Sequence, residues 1–128
     1  MKNTSNSSKI KSFTDLFAWQ EAHQLILMIY NITESFPKEE LFGLTSQIRR
    51  AAVSISSNIA EGFGRKSIRE KIRFYFIAKS SLIEIQNQLL IAKDVKYIEE
   101  SKFKIISEQS IKVHKIIIGL IKSSKRLF

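Results

Sequence analysis

The 128-residue sequence contains no cysteine, one proline and four glycines. Without cysteine the chain cannot form a disulfide, a thiolate metal site or a cysteine nucleophile, so packing alone must hold the fold. Few prolines and glycines also mean few turn signals, and a sandwich or barrel of many short strands requires many of them. The scarcity favours long helices.

Long apolar runs are missing as well. The longest, Leu25 to Tyr30, is far shorter than the roughly 18 residues of a membrane span. The N-terminal segment MKNTSNSSKIK is polar and lacks the apolar core of a signal peptide. We therefore expect a cytoplasmic protein that is not inserted in a membrane.

Residue types that carry catalysis or bind metals are few and scattered. The only histidines, His23 and His114, fall on different predicted helices and neither has metal-ligand spacing around it. The acidic pairs at 39–40 and 99–100 lie at predicted helix starts, where the helix dipole accounts for them. Gly62-x-Gly64 is too short for a dinucleotide-binding loop. The sequence thus predicts no catalytic site, no metal site and no cofactor, and we expect that the protein is not an enzyme.

From Phe13 onward, apolar residues recur at three- and four-residue spacings, which predicts helices. Residues 1–12 lack this pattern and are predicted to form a flexible basic tail, with a single domain over residues 13–128. The four predicted helices run over 13–36, from after Pro37 to about 62, from 67 to about 94, and from 100 or 101 to the C-terminus.

Long helices with short links can bury their apolar stripes only by folding back on one another. The predicted fold class is therefore all-α, an antiparallel up-down four-helix bundle. The inner faces are expected to include Tyr30, Leu41 and Ile77. The helix-two end is expected to use a glycine of positive φ in Gly62–Gly64, and Ser67 with Glu70 has the form of a capping box.

Helix two has a second, polar face opposite its apolar stripe. At about 100° per residue, one side of the helix carries Gln47, Arg50, Ser54, Asn58 and Glu61. This face is either solvated or a polar packing surface, within the bundle or between subunits, because short Ser, Ala and Asn side chains let helices approach closely.

The formal net charge is +9, which favours a polyanionic partner, although a lysine-rich proteome also produces basic proteins. The corner cluster lies between helices two and three, beside a helix N-terminus whose free amides favour anions: Arg65, Lys66, Arg69, Lys71 and Arg73. The helix-four stripe lies within an arc of about 80°: Lys104, Lys112, Lys115, Lys122 and Arg126. Both are candidate nucleic-acid-binding surfaces, and a solvated amphipathic helix is the alternative explanation of the stripe.

Three segments carry a family resemblance, in the order FTDLFAWQEA, SFPKEELFGLTSQIRRAAVSISSNIAEGFGRKS and IAKSSLIEIQNQL. They resemble the bacterial four-helix bundle proteins encoded by intervening sequences in 23S ribosomal RNA genes, with helix four similar in pattern only. That family is similar in turn to the accessory variability protein of diversity-generating retroelements, a basic pentameric barrel that works with a reverse transcriptase and RNA. The resemblance implies a ring-shaped homo-oligomer, with a pentamer favoured.

The resemblance also marks family-motif positions, which it does not make catalytic: Arg49, Arg50, Ser54, Asn58, Glu61, Gly62, Gly64, Arg65, Ser81 and Glu84. Ser80 departs from the family pattern, which has glycine there, so the resemblance does not imply a very close helix contact at this position. The leading hypothesis is a non-enzymatic nucleic-acid-binding accessory protein that acts on RNA or an RNA–DNA intermediate as a homo-oligomer. The alternative is a protein-interaction scaffold whose basic face docks an acidic partner such as a reverse transcriptase.

Overall fold

A computed structural model describes residues 10–127 of the chain, so residues 1–9 of the predicted tail, and residue 128, lie outside the described residues. The described range contains no strand, which confirms the all-α prediction. None of its helices includes a segment long and apolar enough to cross a membrane. The helices are α1 (Phe17–Thr33), α2 (Leu44–Gly64), α3 (Ile68–Asp94) and α4 (Glu100–Lys125).

The four helices form one domain around one core. Helices α1 and α3 each pack against both α2 and α4. The centre is filled by side chains that are almost completely buried: Leu25, Ile29, Ile48, Ile55, Ile59, Leu82, Ile85, Leu89, Val113 and Ile117. Burial of one Leu or Ile side chain contributes about 1.5–3 kcal/mol, so this cluster is the main source of stability.

The first helix begins at Phe17 rather than at the predicted Phe13. Residues Phe13–Asp15 form a 3-10 turn that Ser12 caps, because the Ser12 Oγ accepts a hydrogen bond from the N–H of Thr14. Leu16 then adopts an extended conformation, with φ −75° and ψ 130°. This extended residue separates the turn from α1.

The second helix begins at Leu44 rather than directly after Pro37, and Glu40 explains the difference. A 3-10 turn spans Lys38–Glu40, and the Glu40 Oε1 atom accepts the Leu44 N–H at 3.0 Å. The Oε2 atom accepts the hydroxyl of Tyr97 at 2.9 Å. The bond from Leu44, and then that from Tyr97, hold the pKa of Glu40 below its usual range. Leu41, predicted to be in the core, precedes the helix and is 50% exposed.

The end of α2 does not use a glycine of positive φ, contrary to the prediction. Within the described residues, positive φ occurs only at Lys96 (72°), in the link between α3 and α4. Gly62 instead permits a close approach, since a Cβ there would lie 2.6 Å from the Tyr75 Cε1 atom of α3. Ser67 caps α3, because its Oγ accepts the Glu70 N–H at 3.2 Å, but only this half of the predicted capping box is present, since the Glu70 carboxylate bonds to Arg73 instead.

Candidate nucleic-acid interface

Part of the polar face predicted on α2 is used inside the bundle. The Oγ atoms of Ser54 and Ser81 lie 2.8 Å apart, in hydrogen-bonding contact between α2 and α3. The Asn58 Nδ2 atom donates to the carbonyl oxygen of Ser54 at 2.8 Å and to its Oγ at 3.0 Å. These three family-motif residues therefore join two helices of one chain, whereas Gln47, Arg50 and Glu61 stay exposed.

Arg49 also forms contacts within the bundle, between α2 and α1. Its Nε donates to the Thr33 Oγ1 atom at 2.8 Å, and its Nη2 donates to the carbonyl oxygen of Tyr30 at 3.4 Å. The guanidinium carbon lies 4.8 Å from the centroid of the Tyr30 ring. The Tyr30 ring therefore packs against Arg49 at the surface and is 39% exposed. The sequence had predicted this residue in the core.

Two arginines of the corner cluster form ion pairs on the bundle surface. Arg65 lies 2.9 Å from Glu61, and Arg73 lies 3.2 Å from Glu70. The hydrogen bond from Arg73 lowers the pKa of Glu70 and raises that of Arg73. All four side chains stay largely exposed, and solvent screening makes such surface ion pairs weak. An incoming phosphate can therefore compete for both guanidinium groups.

The remaining members of the corner cluster differ in role. The Lys71 ammonium donates to the carbonyl oxygen of Phe63 at 2.7 Å, which satisfies the C-terminal end of α2. Burial lowers the pKa of Lys71. Lys66 and Arg69 are exposed and have no carboxylate within 4.0 Å among residues 10–127. Lys71 is thus structural, and Lys66 and Arg69 are free to bind an anion.

Two aromatic rings of α3 lie among the cations, although the sequence periodicity predicted Phe74 on the inner face of the helix and gave Phe76 no role. The Phe74 ring has the guanidinium groups of Arg65 and Arg73 each 4.6 Å from its centroid. The Phe76 ring has the ammonium groups of Lys79 and Lys125 at 5.5 and 5.4 Å. The run of three aromatic residues at 74–76, between Arg73 and Lys79, is the signal that could have identified this arrangement.

The helix-four stripe is exposed along its whole length, but its two halves differ. Lys104 lines a shallow hollow together with Glu100 and Glu108, so its charge is opposed locally. Lys112 forms an ion pair of 3.0 Å with Glu21 of α1. A hydrogen bond from Gln109, and then the contact with Lys112, lower the pKa of Glu21.

The second half of the stripe contains the unopposed cations. Among the described residues, no carboxylate lies within 4.0 Å of three of its members: Lys115, Lys122 and Arg126.

The contact between Phe76 and Lys125 brings the corner cluster and the second half of α4 to one end of the bundle. Residues 65–83 contain six basic residues and one acidic residue, and residues 109–127 contain five basic residues and no acidic one. Together they carry a net charge of +10, which exceeds the +9 of the whole chain. We call these two segments the basic end.

The two histidines lie on different helices, and neither side chain is among the exposed cations. The His23 ring stacks on Trp19 with centroids 4.7 Å apart, and His114 is half-buried in α4. Across the residues that the structure describes, no group of three or more His, Asp or Glu side chains could hold a metal ion. The exposed cations and aromatic rings of the basic end can attract anions and stack on bases.

Comparisons with known proteins agree with the fold. Residues 14–119 match the family model described as 23S rRNA-intervening sequence protein. No protein with a curated description matches the sequence. The structure is similar to the crystal structure of a protein of unknown function from the S23 ribosomal protein family of Bacteroides thetaiotaomicron VPI-5482. The TM-score is 0.76 and the sequence identity 24%, over 82% of this chain and 98% of that chain, so this likeness shows the fold alone. The family match spans most of the chain, which therefore belongs to the 23S rRNA-intervening sequence protein family.

Proposed function

We propose that the protein is a non-enzymatic nucleic-acid-binding accessory protein that holds RNA or an RNA–DNA intermediate at its basic end. The concentration of charge in residues 65–83 and 109–127 carries this proposal. When a nucleic-acid backbone binds such a surface, its condensed counterions are released to the solution, which contributes affinity whatever the sequence. Lysines predominate on α4, and lysine contacts phosphates as a point charge without reading bases.

The aromatic rings favour a single-stranded ligand. Phe76 is 41% exposed, and the ammonium groups of Lys79 and Lys125 lie 5.5 and 5.4 Å from its ring centroid. Unpaired bases stack on aromatic side chains while basic residues hold the adjacent phosphates. Duplexes offer no unpaired base, so we expect single strands to bind more tightly than duplexes of equal charge.

We further propose an antiparallel course for the helices. Contacts at the ends of the helices support it, because Lys71 near the start of α3 reaches a carbonyl near the end of α2. From Gly62 back to Ser54 on α2, the contacted residue on α3 advances from Tyr75 to Ser81, as antiparallel neighbours require.

Self-association is the third part of the proposal. The outer face of α3 carries exposed apolar residues that no other element within residues 10–127 covers, among them Ile83 and Leu90, 49% and 48% exposed. Exposed apolar patches of this kind mark interaction sites. A pentameric ring, which the family resemblance implies, stays a prediction. Light scattering at micromolar concentration should give a mass several times the 14.8 kDa of the monomer, and a monomeric mass would contradict self-association.

Binding to fluorescent 20-nucleotide single-stranded RNA, single-stranded DNA and an RNA–DNA hybrid tests the nucleic-acid proposal. Anisotropy titrations from 50 to 300 mM salt should show affinity for several sequences that falls steeply with salt. The alternative function, a scaffold that docks an acidic protein such as a reverse transcriptase, requires a selective partner and a weak salt dependence. Absence of binding to all three ligands at 50 mM salt would contradict the nucleic-acid proposal.

A further inference from the structure

We infer that the protein has a second anion site, apart from the basic end, which binds a small phosphate monoester at the start of α2. The site is a cleft of about 430 Å³ between α1, the residues that precede α2 and the first three turns of α2. It goes beyond the proposed function, because it requires neither a nucleic acid nor self-association.

The start of α2 has backbone donors that the chain does not use. The Leu44 N–H is bound by Glu40, and the first hydrogen bond along the helix is donated by Gln47. Between them, the N–H groups of Thr45 and Ser46 have no acceptor within residues 10–127. The N–H groups of a first turn point towards the start of the helix and favour an anion there.

A hydroxyl group at the same place also lacks a partner. Thr45 lines the cleft and is 4% exposed, yet its Oγ1 atom makes no hydrogen bond to the part of the chain that the structure describes. Thr33 on α1, which is buried to the same degree, donates to the carbonyl oxygen of Ile29 at 2.7 Å. Buried polar groups are nearly always hydrogen-bonded, so the open Thr45 hydroxyl indicates a ligand that accepts from it.

Two guanidinium groups accompany these donors. Side chains four residues apart lie one above the other on a helix and lean towards its start, so Arg49 and Arg50 reach back over Thr45 and Ser46. Arg49 is fixed by its bonds to α1 and keeps its Nη1 group free. Arg50 is exposed and forms no hydrogen bond or ion pair within residues 10–127. Both arginines line the cleft.

Acidic groups do not cancel this charge. The described residues that line the cleft include none that is acidic, so their net charge is +2, from the two arginines. Glu40 is the carboxylate at this helix start, and each of its oxygens already accepts a hydrogen bond, from the Leu44 N–H and from the Tyr97 hydroxyl. An anion in the cleft therefore does not compete with Glu40 for a donor.

The donor set fits a phosphate monoester better than a carboxylate. A phosphate monoester has three free oxygens and a charge of about −1.5 to −2, whereas a carboxylate has two oxygens and one charge. Two guanidinium groups, two backbone N–H groups and a hydroxyl exceed what a carboxylate can accept. The other walls are apolar, formed by Leu41, Val53 and the Tyr30 ring, so the phosphate is expected to carry an apolar or aromatic body.

Phenyl phosphate, inorganic phosphate and benzoate are the probes that test this site. In a ¹H–¹⁵N NMR titration of the full chain, phenyl phosphate should shift the amide signals of Thr45 and Ser46. It should bind more tightly than inorganic phosphate, which leaves the apolar walls unused, and more tightly than benzoate, which has fewer acceptors. Signals of Thr45 and Ser46 that stay unchanged in millimolar phenyl phosphate, or benzoate that binds as tightly, would overturn the inference.

Three variants separate this site from the basic end. Arg50→Gln should weaken phenyl phosphate binding roughly tenfold or more and Thr45→Val by several-fold, because each removes a donor to a charged group. Neither side chain has a partner within residues 10–127, so the Tm of both variants should equal that of the parent. Arg69→Gln is the matched control, since Arg69 is an exposed arginine of the basic end without a carboxylate close to it among those residues.

The control variant should bind phenyl phosphate like the parent and bind single-stranded RNA more weakly, whereas R50Q should do the reverse. Phenyl phosphate binding that falls equally in R50Q and R69Q, or in neither R50Q nor T45V, would overturn this inference and leave the nucleic-acid proposal standing. A parent that binds phenyl phosphate but no RNA would contradict the nucleic-acid proposal alone.

Discussion

Gly62 of α2 faces Tyr75 of α3 so closely that the ring fills the space where a side chain would begin. A Cβ at Gly62 would lie 2.6 Å from the Tyr75 Cε1 atom and 2.9 Å from Cδ1. Tyr75 is 3% exposed, and burial raises its pKa. The ring cannot move outward without breaking the core, so this pair sets the spacing of α2 and α3 next to the basic end.

Gly62→Ala should therefore destabilise the protein. Overpacking of this kind costs about 1–3 kcal/mol, which thermal unfolding will report as a lower Tm. Gly119→Ala is the matched control, since nothing lies within 4 Å of a Cβ there and alanine in a helix is favoured over glycine by about 0.5–1 kcal/mol. Equal Tm values for the two variants would contradict the close approach.

The Ser54–Ser81 hydrogen bond should couple α2 and α3 energetically. Ser54→Ala leaves the Ser81 hydroxyl and the Asn58 amide with one partner fewer, and we expect a loss of about 1–2 kcal/mol. The double variant S54A/S81A should lose less stability than the two single variants together, because it leaves no unpaired hydroxyl between α2 and α3. A double-mutant cycle in urea measures the coupling, and strict additivity would show that the contact contributes nothing.

Protonation of Glu40 should weaken the start of α2. Its folded-state pKa is lowered, so the stabilisation is complete above the usual pKa of about 4.3 and is lost as pH falls through the lower folded value. Glu40→Gln should reduce stability at neutral pH. In the acidic range, the free energy of unfolding of this variant should depend less on pH than that of the parent. Glu39→Gln, at the exposed neighbouring position, is the control, and an acid limb that E40Q leaves unchanged would contradict the prediction.

Periodicity was sufficient to predict four helices and one domain, because apolar stripes at three- and four-residue spacing report burial directly. It could not predict the start of α2, where the side chain of Glu40 competes with the helix for the Leu44 N–H. It also placed Ile77 in the core, yet this residue is 37% exposed and Tyr75 is buried in that region. Because Gly62 has no Cβ, the Tyr75 ring fits into the interface, and such a fit between two helices is not visible from either one alone.

For the candidate site, too, the sequence predicted some features and not others. The basic residues of the corner cluster and of the helix-four stripe were visible as local concentrations of charge. Their partners were not, because Glu21 is 91 residues from Lys112 in the chain yet lies 3.0 Å from it in space. The two clusters lie at the same end of the bundle because α3 packs on α4, as the contact of Phe76 with Lys125 shows.

Single lysines of the helix-four stripe should differ in their contribution to RNA binding. Lys112 is held by Glu21, whereas Lys115 is exposed with no carboxylate close to it. Lys115→Gln should therefore lower the affinity for single-stranded RNA several-fold more than Lys112→Gln at 50 mM salt. Anisotropy titrations of the two variants provide the comparison, once thermal unfolding has shown that their Tm values are equal. A larger effect of K112Q would show that the ion pair with Glu21 opens on binding.

The most direct test of the basic end is the salt dependence of RNA binding in two triple variants with the same loss of charge. Lys115, Lys122 and Lys125→Gln removes three cations of the basic end, and Lys38, Lys96 and Lys102→Gln removes three exposed cations elsewhere. Each lost contact should reduce the slope of log affinity against log salt by about 0.7 for a single strand. We expect the slope to be lower by about 2 for the first variant and close to the parent value for the second. Equal slopes in the two variants, or a parent slope retained in the first, would contradict it.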